Sequence, residues 1–203
     1  MKKKSHLVYI AAAISILLPA TGRFAIGIVI CIAMLFITFF GTIFNRIIRN
    51  LVSKDSAVFY QFVISILLCT IFNQLLALYS PVISIYMNFT VYLAAFSSMI
   101  IGFFASEEDD KDFSDTLSHN IMNTLKFCLL TLFFFLIRDY IGYSTFTLPG
   151  QFGFIEYKMP SIHQYYKSFF WGSIPCAIVL LALGLALITF ISRRFDIVRR
   201  KLY

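Results

Sequence analysis

The residues best suited to chemistry in this chain are few. Four cysteines, Cys31, Cys69, Cys128 and Cys176, are potential metal ligands or nucleophiles. None forms a C-x-x-C pair, and all four lie in apolar runs, where a thiol behaves as a small hydrophobe. The three histidines, His6, His119 and His163, are scattered, so no zinc-ligand spacing arises. No G-x-S-x-G, H-E-x-x-H or P-loop pattern occurs. Arg138 and Asp139 stand side by side at the end of an apolar run. Charges inside a membrane segment are functional candidates; the plainer reading is an interfacial pair whose Arg snorkels to lipid headgroups. The sequence thus names no catalytic residue and no metal ligand.

The elements that must position these residues follow from composition. Of 203 residues, 60% are apolar and 13% charged, against roughly 45–50% and 25% in soluble domains. That excludes a disordered chain and a disulfide scaffold, and a domain this small cannot bury so much apolar surface in water. The apolar runs are continuous rather than alternating, so the spans are helical and not barrel strands. The net charge of +7 fits the positive-inside bias of a membrane protein. No basic patch with interleaved stacking aromatics stands apart from the spans, so nucleic acid is not an expected partner.

Six spans are expected, at about 7–20, 24–44, 57–79, 82–104, 120–141 and 168–191. The first is short and ends at Pro19. Lys2–Lys4 followed by apolar residues has the form of a signal peptide, but Pro19-Ala20-Thr21 is a poor cleavage site. Ser80-Pro81 marks a turn, residues 106–115 an acidic loop, and 142–167 a longer polar stretch rich in Tyr and Phe. Asn73, Gln74 and Asn88 are expected to bond across helices. Tyr165, Tyr166 and Trp171 are placed for an aromatic belt, and the run Glu107–Asp110 for a solvated loop. With the N-terminus inside, 13 Lys and Arg fall on the cytoplasmic side and four, Arg23, Arg138, Lys158 and Lys167, outside, so both termini are expected in the cytoplasm.

The two halves resemble each other. Tyr9-Ile-Ala-Ala at the first span aligns with Tyr92-Leu-Ala-Ala at the fourth, and Ser15 then meets Ser98. Three spans per half make the halves inverted. The expected fold is therefore an all-α integral membrane protein: six transmembrane helices in two inverted three-helix repeats, with short or broken first and fourth helices. It forms a single membrane domain over 1–203, with repeat one at about 5–80, repeat two at about 81–192, and a basic tail at 193–203. Ser15 and Ser98 would occupy equivalent positions near the midplane, where inverted-repeat proteins often carry their site.

Residues 137–145, Ile-Arg-Asp-Tyr-Ile-Gly-Tyr-Ser-Thr, resemble the L-R-E-x-x-G-x-G-T signature of RnfE/NqrD-type subunits of the Rnf/Nqr family. Arg138, Asp139, Gly142 and Thr145 match, with Asp for Glu and Ser144 for Gly. Around Pro175 and Ala177 the chain resembles the family's L-P-P-G-A segment, with Cys176 in place of Gly. The resemblance implies a bacterial inner-membrane subunit of an ion-translocating electron-transport complex, with six helices, inverted repeats and a structural role for Arg138 and Asp139 at a helix end. In that family each half supplies a cysteine, and two homologous subunits hold a [2Fe-2S] cluster between them. Here the equivalent positions are Ser15 and Ser98, and a hydroxyl is a far poorer ligand than a thiolate.

The expected function is accordingly that of a non-catalytic subunit of a redox-driven, ion-translocating complex, without its own iron–sulfur cluster and with no cofactor. Its expected partners are other membrane subunits, a homologous sister subunit and the lipid bilayer. A different reading is a small-solute or vitamin uptake component, in which the 142–167 segment lines an outward-facing pocket.

Overall fold

The structure is a computed structural model, and it describes residues 20–49, 54–105, 113–158, 169–184, 186 and 190. The chain is mostly helical. Among the described residues there are four long helices: α1 Phe24–Arg49, α2 Lys54–Tyr79, α3 Pro81–Ala105 and α4 Phe113–Tyr143. A hairpin of β1 Thr145–Gly150 and β2 Gly153–Lys158 follows, then the short helix α5 Phe169–Gly172 and the apolar helix α6 Ile174–Gly184. Among the described residues, three helices, α1, α2 and α4, are long and apolar enough to cross a membrane. A helix suits that setting because every backbone polar group is satisfied within the segment.

Helix α1 is the hub. It packs against α2, α3 and α4, and its buried residues Ile26, Ile30, Met34 and Ile37 recur at helical spacing along one face. Helix α2 lies outside, with Phe59, Leu67, Leu75 and Leu78 exposed along its length. Such a face suits lipid rather than water. Helices α2 and α3 fold back on each other through one residue, Ser80. The Ser80 carbonyl accepts the first bond of α3, from Ser84 N at 3.1 Å. Pro81 then takes the first helical position, where its missing N–H costs nothing. Across this corner the Ser84 hydroxyl donates to Asn73 Oδ1 at 3.0 Å, the cross-helix role expected of Asn73. Gln74 instead faces outward.

The spans expected at 24–44, 57–79 and 120–141 correspond to α1, α2 and α4, all longer than hydropathy suggests. Helix α4 starts seven residues earlier, at Phe113. Its first turns carry polar residues that a search for apolar runs passes over. Two expectations need correcting. The fourth span is neither short nor broken: α3 is one continuous helix of 25 residues. Ser97 and Ser98 do not interrupt it, because each hydroxyl donates to its own helix, at Leu93 O (3.1 Å) and Ala95 O (2.9 Å). The fold is also not wholly α, since the 142–167 stretch contains the hairpin. Its strands pair antiparallel, from Thr145 opposite Lys158 to Gly150 opposite Gly153, around a two-residue turn at Gln151-Phe152. Gly153 sits at φ +124°, a conformation side chains rarely adopt. The first span with Ser15, the run Glu107–Asp110, Tyr165, Tyr166 and the tail 193–203 lie outside the described residues.

Candidate functional site

Helix α1 begins without a cap of its own. Arg23 holds the N-cap position, and its side chain has no oxygen to accept the orphan N–H groups of the first turn. Those groups find acceptors 115 residues and more away. Phe24 N donates to Asp139 Oδ2 at 3.2 Å. Ala25 N donates to Thr147 Oγ1 at 3.1 Å, and that hydroxyl passes its own hydrogen to Asp139 Oδ2 at 2.7 Å. Thr147 N also donates to Oδ2, at 2.9 Å, and the Thr145 hydroxyl to Oδ1 at 3.0 Å. One carboxylate from the end of α4 thus ties the start of α1 to the first strand of the hairpin. Its negative charge lies at the positive end of the α1 dipole.

Arg138 performs the converse task. Nη1 donates to Ala20 O at 3.1 Å, and Nη2 to Gly172 O and Ser173 O at 3.0 and 3.3 Å. These carbonyls come from the segment before α1 and from the joint between α5 and α6. The guanidinium also lies 5.8 and 5.9 Å from the ring centres of Phe134 and Phe135, within cation–π range. Arg138 is 0% and Asp139 1% exposed, so this Arg does not snorkel. Neighbouring residues of opposite charge gather backbone groups of opposite polarity into one knot.

Close backbone approach makes the knot possible. A Cβ on Gly22 would stand 3.2 Å from Arg138 Nε, and one on Gly172 would stand 2.5 Å from the Tyr143 hydroxyl. Helix α4 leaves the knot through a left-handed residue, Ser144 at φ 52°, whose N–H bonds Tyr140 O at 3.0 Å. Glycine is the usual choice there. Gly142 is buried one turn away. Pro175 is exposed outside the knot. It sits in the first turn of α6, whose Ser173 carbonyl accepts Ala177 N at 3.2 Å, so it starts that helix without losing a bond. Arg23 pairs with Glu156 of β2 and lies over Tyr143 and Phe154, fastening the far strand.

Below the knot, α1 and α4 run antiparallel along a seam. The residue pairs Gly27 and Phe135, Cys31 and Cys128, Thr38 and Thr124, and Thr42 and Asn120 face one another in turn. A Cβ on Gly27 would come within 2.7 Å of the Phe135 ring, so the helices touch closely there. Each thiol of the cysteine pair donates to the other cysteine's carbonyl, at 3.5 and 3.7 Å. The threonine hydroxyls meet at 3.2 Å, and Asn120 Nδ2 donates to Thr42 Oγ1 at 3.4 Å. Among the described residues, the buried Thr131 Oγ1 and Asn120 Oδ1 have no hydrogen-bond partner.

The charged groups of the knot bond backbone and hydroxyl groups. Among the described residues no three His, Cys, Asp or Glu gather to hold a metal. Ser98, the position resembling a cluster ligand, is buried and its hard hydroxyl is committed to Ala95 O. That donor does not fit an iron–sulfur cluster. Ser98 also lies on a helix different from the knot, and its counterpart Ser15 is outside the described residues. Arg138, Asp139, Gly142 and Thr145 are brought together as a group; Pro175 is not. Sequence reasoning missed Thr147, Gly22, Gly27, Gly172 and the Arg23–Glu156 pair. The glycines are the one signal that was present, since each sits where another chain segment comes near. No family model matches the chain, and no curated protein matches it.

Proposed function

We propose that this chain is a scaffold subunit of a membrane electron-transport complex, similar to the RnfE/NqrD type and without its own iron–sulfur cluster. The observation that carries the reading is the corner from α4 into β1. The residues that resemble the family signature each have a distinct place there. Arg138 gathers carbonyls, Asp139 gathers N–H groups and Thr145 bonds the carboxylate. Ser144, which stands where the signature has glycine, adopts the left-handed backbone that glycine favours.

In this reading the chain sits in a bacterial inner membrane with both termini in the cytoplasm, as the Lys and Arg distribution supports. The antiparallel α1–α4 seam would lie at the interface of two inverted repeats. The protein would contribute shape and a membrane path to a complex whose redox groups sit on other subunits, a homologous sister among them. The buried charges would hold the fold and not carry electrons or ions.

The test is a gentle-detergent pull-down of tagged protein from its native membrane, with mass spectrometry and iron analysis on one eluate. Co-purification with flavin or iron–sulfur subunits is expected, with no iron left on this chain when it is separated from them. Recovery alone, or with ATPase-type energising subunits, would replace this reading with solute uptake. Stoichiometric iron and sulfide on the isolated chain would overturn the claim that it lacks a cluster.

A further inference from the structure

The hairpin is held to the bundle by polar groups on its strands and carries one exposed aromatic at its turn. The third of its six cross-strand pairs, Thr147 opposite Glu156, is fastened to the bundle: Glu156 pairs with Arg23, and Thr147 bonds Asp139. The tip is Gln151-Phe152, and Phe152 is 97% exposed. Six-residue strands place the tip roughly 20 Å from the base, so the hairpin reaches from the knot to the edge of the bundle. It ends over the α2–α3 corner, where a Cβ on Gly153 would lie 3.5 Å from Val82. Between tip and corner is an open cleft of about 390 Å3 lined by Leu78, Tyr79, Pro81, Val82, Gln151 and Phe152. That falls within the range of small-ligand clefts, roughly 300–1,000 Å3.

Position decides what meets this surface. The apolar span Phe59–Tyr79 of α2 has 21 residues. At 1.5 Å per residue it covers ~31 Å, about the thickness of a bilayer's hydrocarbon core. A helix that spans the core over these residues puts Tyr79 at its boundary, and the tip lies beside Tyr79. The exposed residues of the corner, Leu78 at 85% among them, continue the outward apolar face of α2, and Ile85 and Phe89 extend it along α3. The hairpin backbone cannot go deeper, because a two-stranded sheet leaves each strand one unpaired edge, and such edges are not tolerated in hydrocarbon.

We propose that the hairpin tip is an interfacial lipid-binding element. Phe152 dips into the boundary between headgroups and chains, and the cleft beneath it takes a phospholipid chain. The hairpin backbone stays at headgroup level, and Gln151 remains beside the polar layer. This inference rests on the membrane setting alone and is independent of the redox-complex reading.

The test uses the full chain in phospholipid bilayers. The sequence has one tryptophan, Trp171, so F152W in a W171F background gives a single reporter at the tip. Phosphatidylcholine brominated near the headgroup is expected to quench it strongly, phosphatidylcholine brominated near the chain end weakly, and aqueous acrylamide weakly. Y157W in the same background, nearer the base, is expected to respond far less to either brominated lipid. A tip reporter open to acrylamide and untouched by brominated lipid would overturn the proposal, as would shielding from both quenchers, which would mean a protein occupant. Equal lipid quenching at 152 and 157 would mean a hairpin lying flat, and would overturn the tip assignment. If W171F does not fold, an environment-sensitive dye on F152C reads the same depth with Trp171 retained. The four native cysteines are buried, so that label goes to the tip.

Discussion

The knot at the hairpin end and the seam below it both bury polar groups, and they do so in opposite ways. In the knot, two full charges are each held by several hydrogen bonds: Asp139 accepts from Phe24, Thr145 and Thr147, and Arg138 donates to Ala20, Gly172 and Ser173. In the seam the polar groups are neutral and sparsely bonded, and Thr131 Oγ1 and Asn120 Oδ1 have no partner among the described residues. The contrast follows from the cost of burial. A buried charge without partners costs several kcal/mol, whereas a lone hydroxyl costs only ~1–3 kcal/mol. Among the described residues, buried charge is therefore found where backbone groups of two helix ends and a strand converge. The seam holds its helices by close approach at Gly27 and by weak side-chain bonds.

Removing a knot charge should have the largest effect. Arg138→Ala leaves three carbonyls without their donor and is expected to destabilise the fold by ~3–5 kcal/mol, since a buried acceptor left unpaired costs ~1–3 kcal/mol. At roughly 2–4 °C per kcal/mol for a chain of this size, the unfolding midpoint in detergent should fall by about 10 °C. Arg138→Lys should recover only part of that, since an ammonium cannot reproduce the fork that reaches Ala20 and Gly172 together. If Arg138→Ala unfolds at the wild-type midpoint, the knot is not what holds this end together.

Crowding the seam comes next. Gly27→Ala puts a carbon against the Phe135 ring and should cost ~1–3 kcal/mol. Phe135→Leu in the same chain should restore part of the loss, and absence of any rescue would show that the two helices do not meet there. A change of opposite sign is expected at the exit of α4. Ser144→Gly relieves the left-handed strain of a residue with a Cβ and should stabilise by ~1 kcal/mol.

The smallest effects separate bonded from unbonded polar groups. Thr38→Val removes one cross-helix bond and should cost ~0.6 kcal/mol, the usual value for such pairs in membranes. Thr131→Val removes a hydroxyl that bonds none of the described residues and should be neutral or slightly stabilising. If both changes cost the same, the distinction within the seam fails. Glu156→Gln loses only a partly exposed ion pair and should shift stability by under ~1 kcal/mol, less at high salt.

Much of this organisation was legible in the residues. Continuous apolar runs located α1, α2 and α4, and Ser80-Pro81 located the reversal into α3. The pattern from Arg138 to Thr145 drew attention to the knot. Three parts were not legible. Asp139 acts on the N–H groups of Phe24 and Ala25, and backbone donors leave no trace in side-chain identity. The hairpin was hidden by its composition: Thr, Tyr and Phe between 142 and 158 read as a polar aromatic stretch. Glycines at 150 and 153 flanking two residues were a turn signal that hydropathy does not weigh. The continuity of α3 was not legible because the expected break came with the family resemblance, whereas the serines at that position bond their own helix.

Asp139 bonds the start of α1 and the first strand of the hairpin, and Arg138 bonds the segment before α1. The most direct measurement is amide hydrogen exchange across Phe24–Ile30 in wild type and Asp139→Ala, under conditions where both are folded. Faster exchange is expected at the start of α1 and along β1 in the variant, with the α2–α3 corner unchanged. Identical exchange in the two proteins would contradict this structural role, and would return Asp139 to the set of charges free to act in transport.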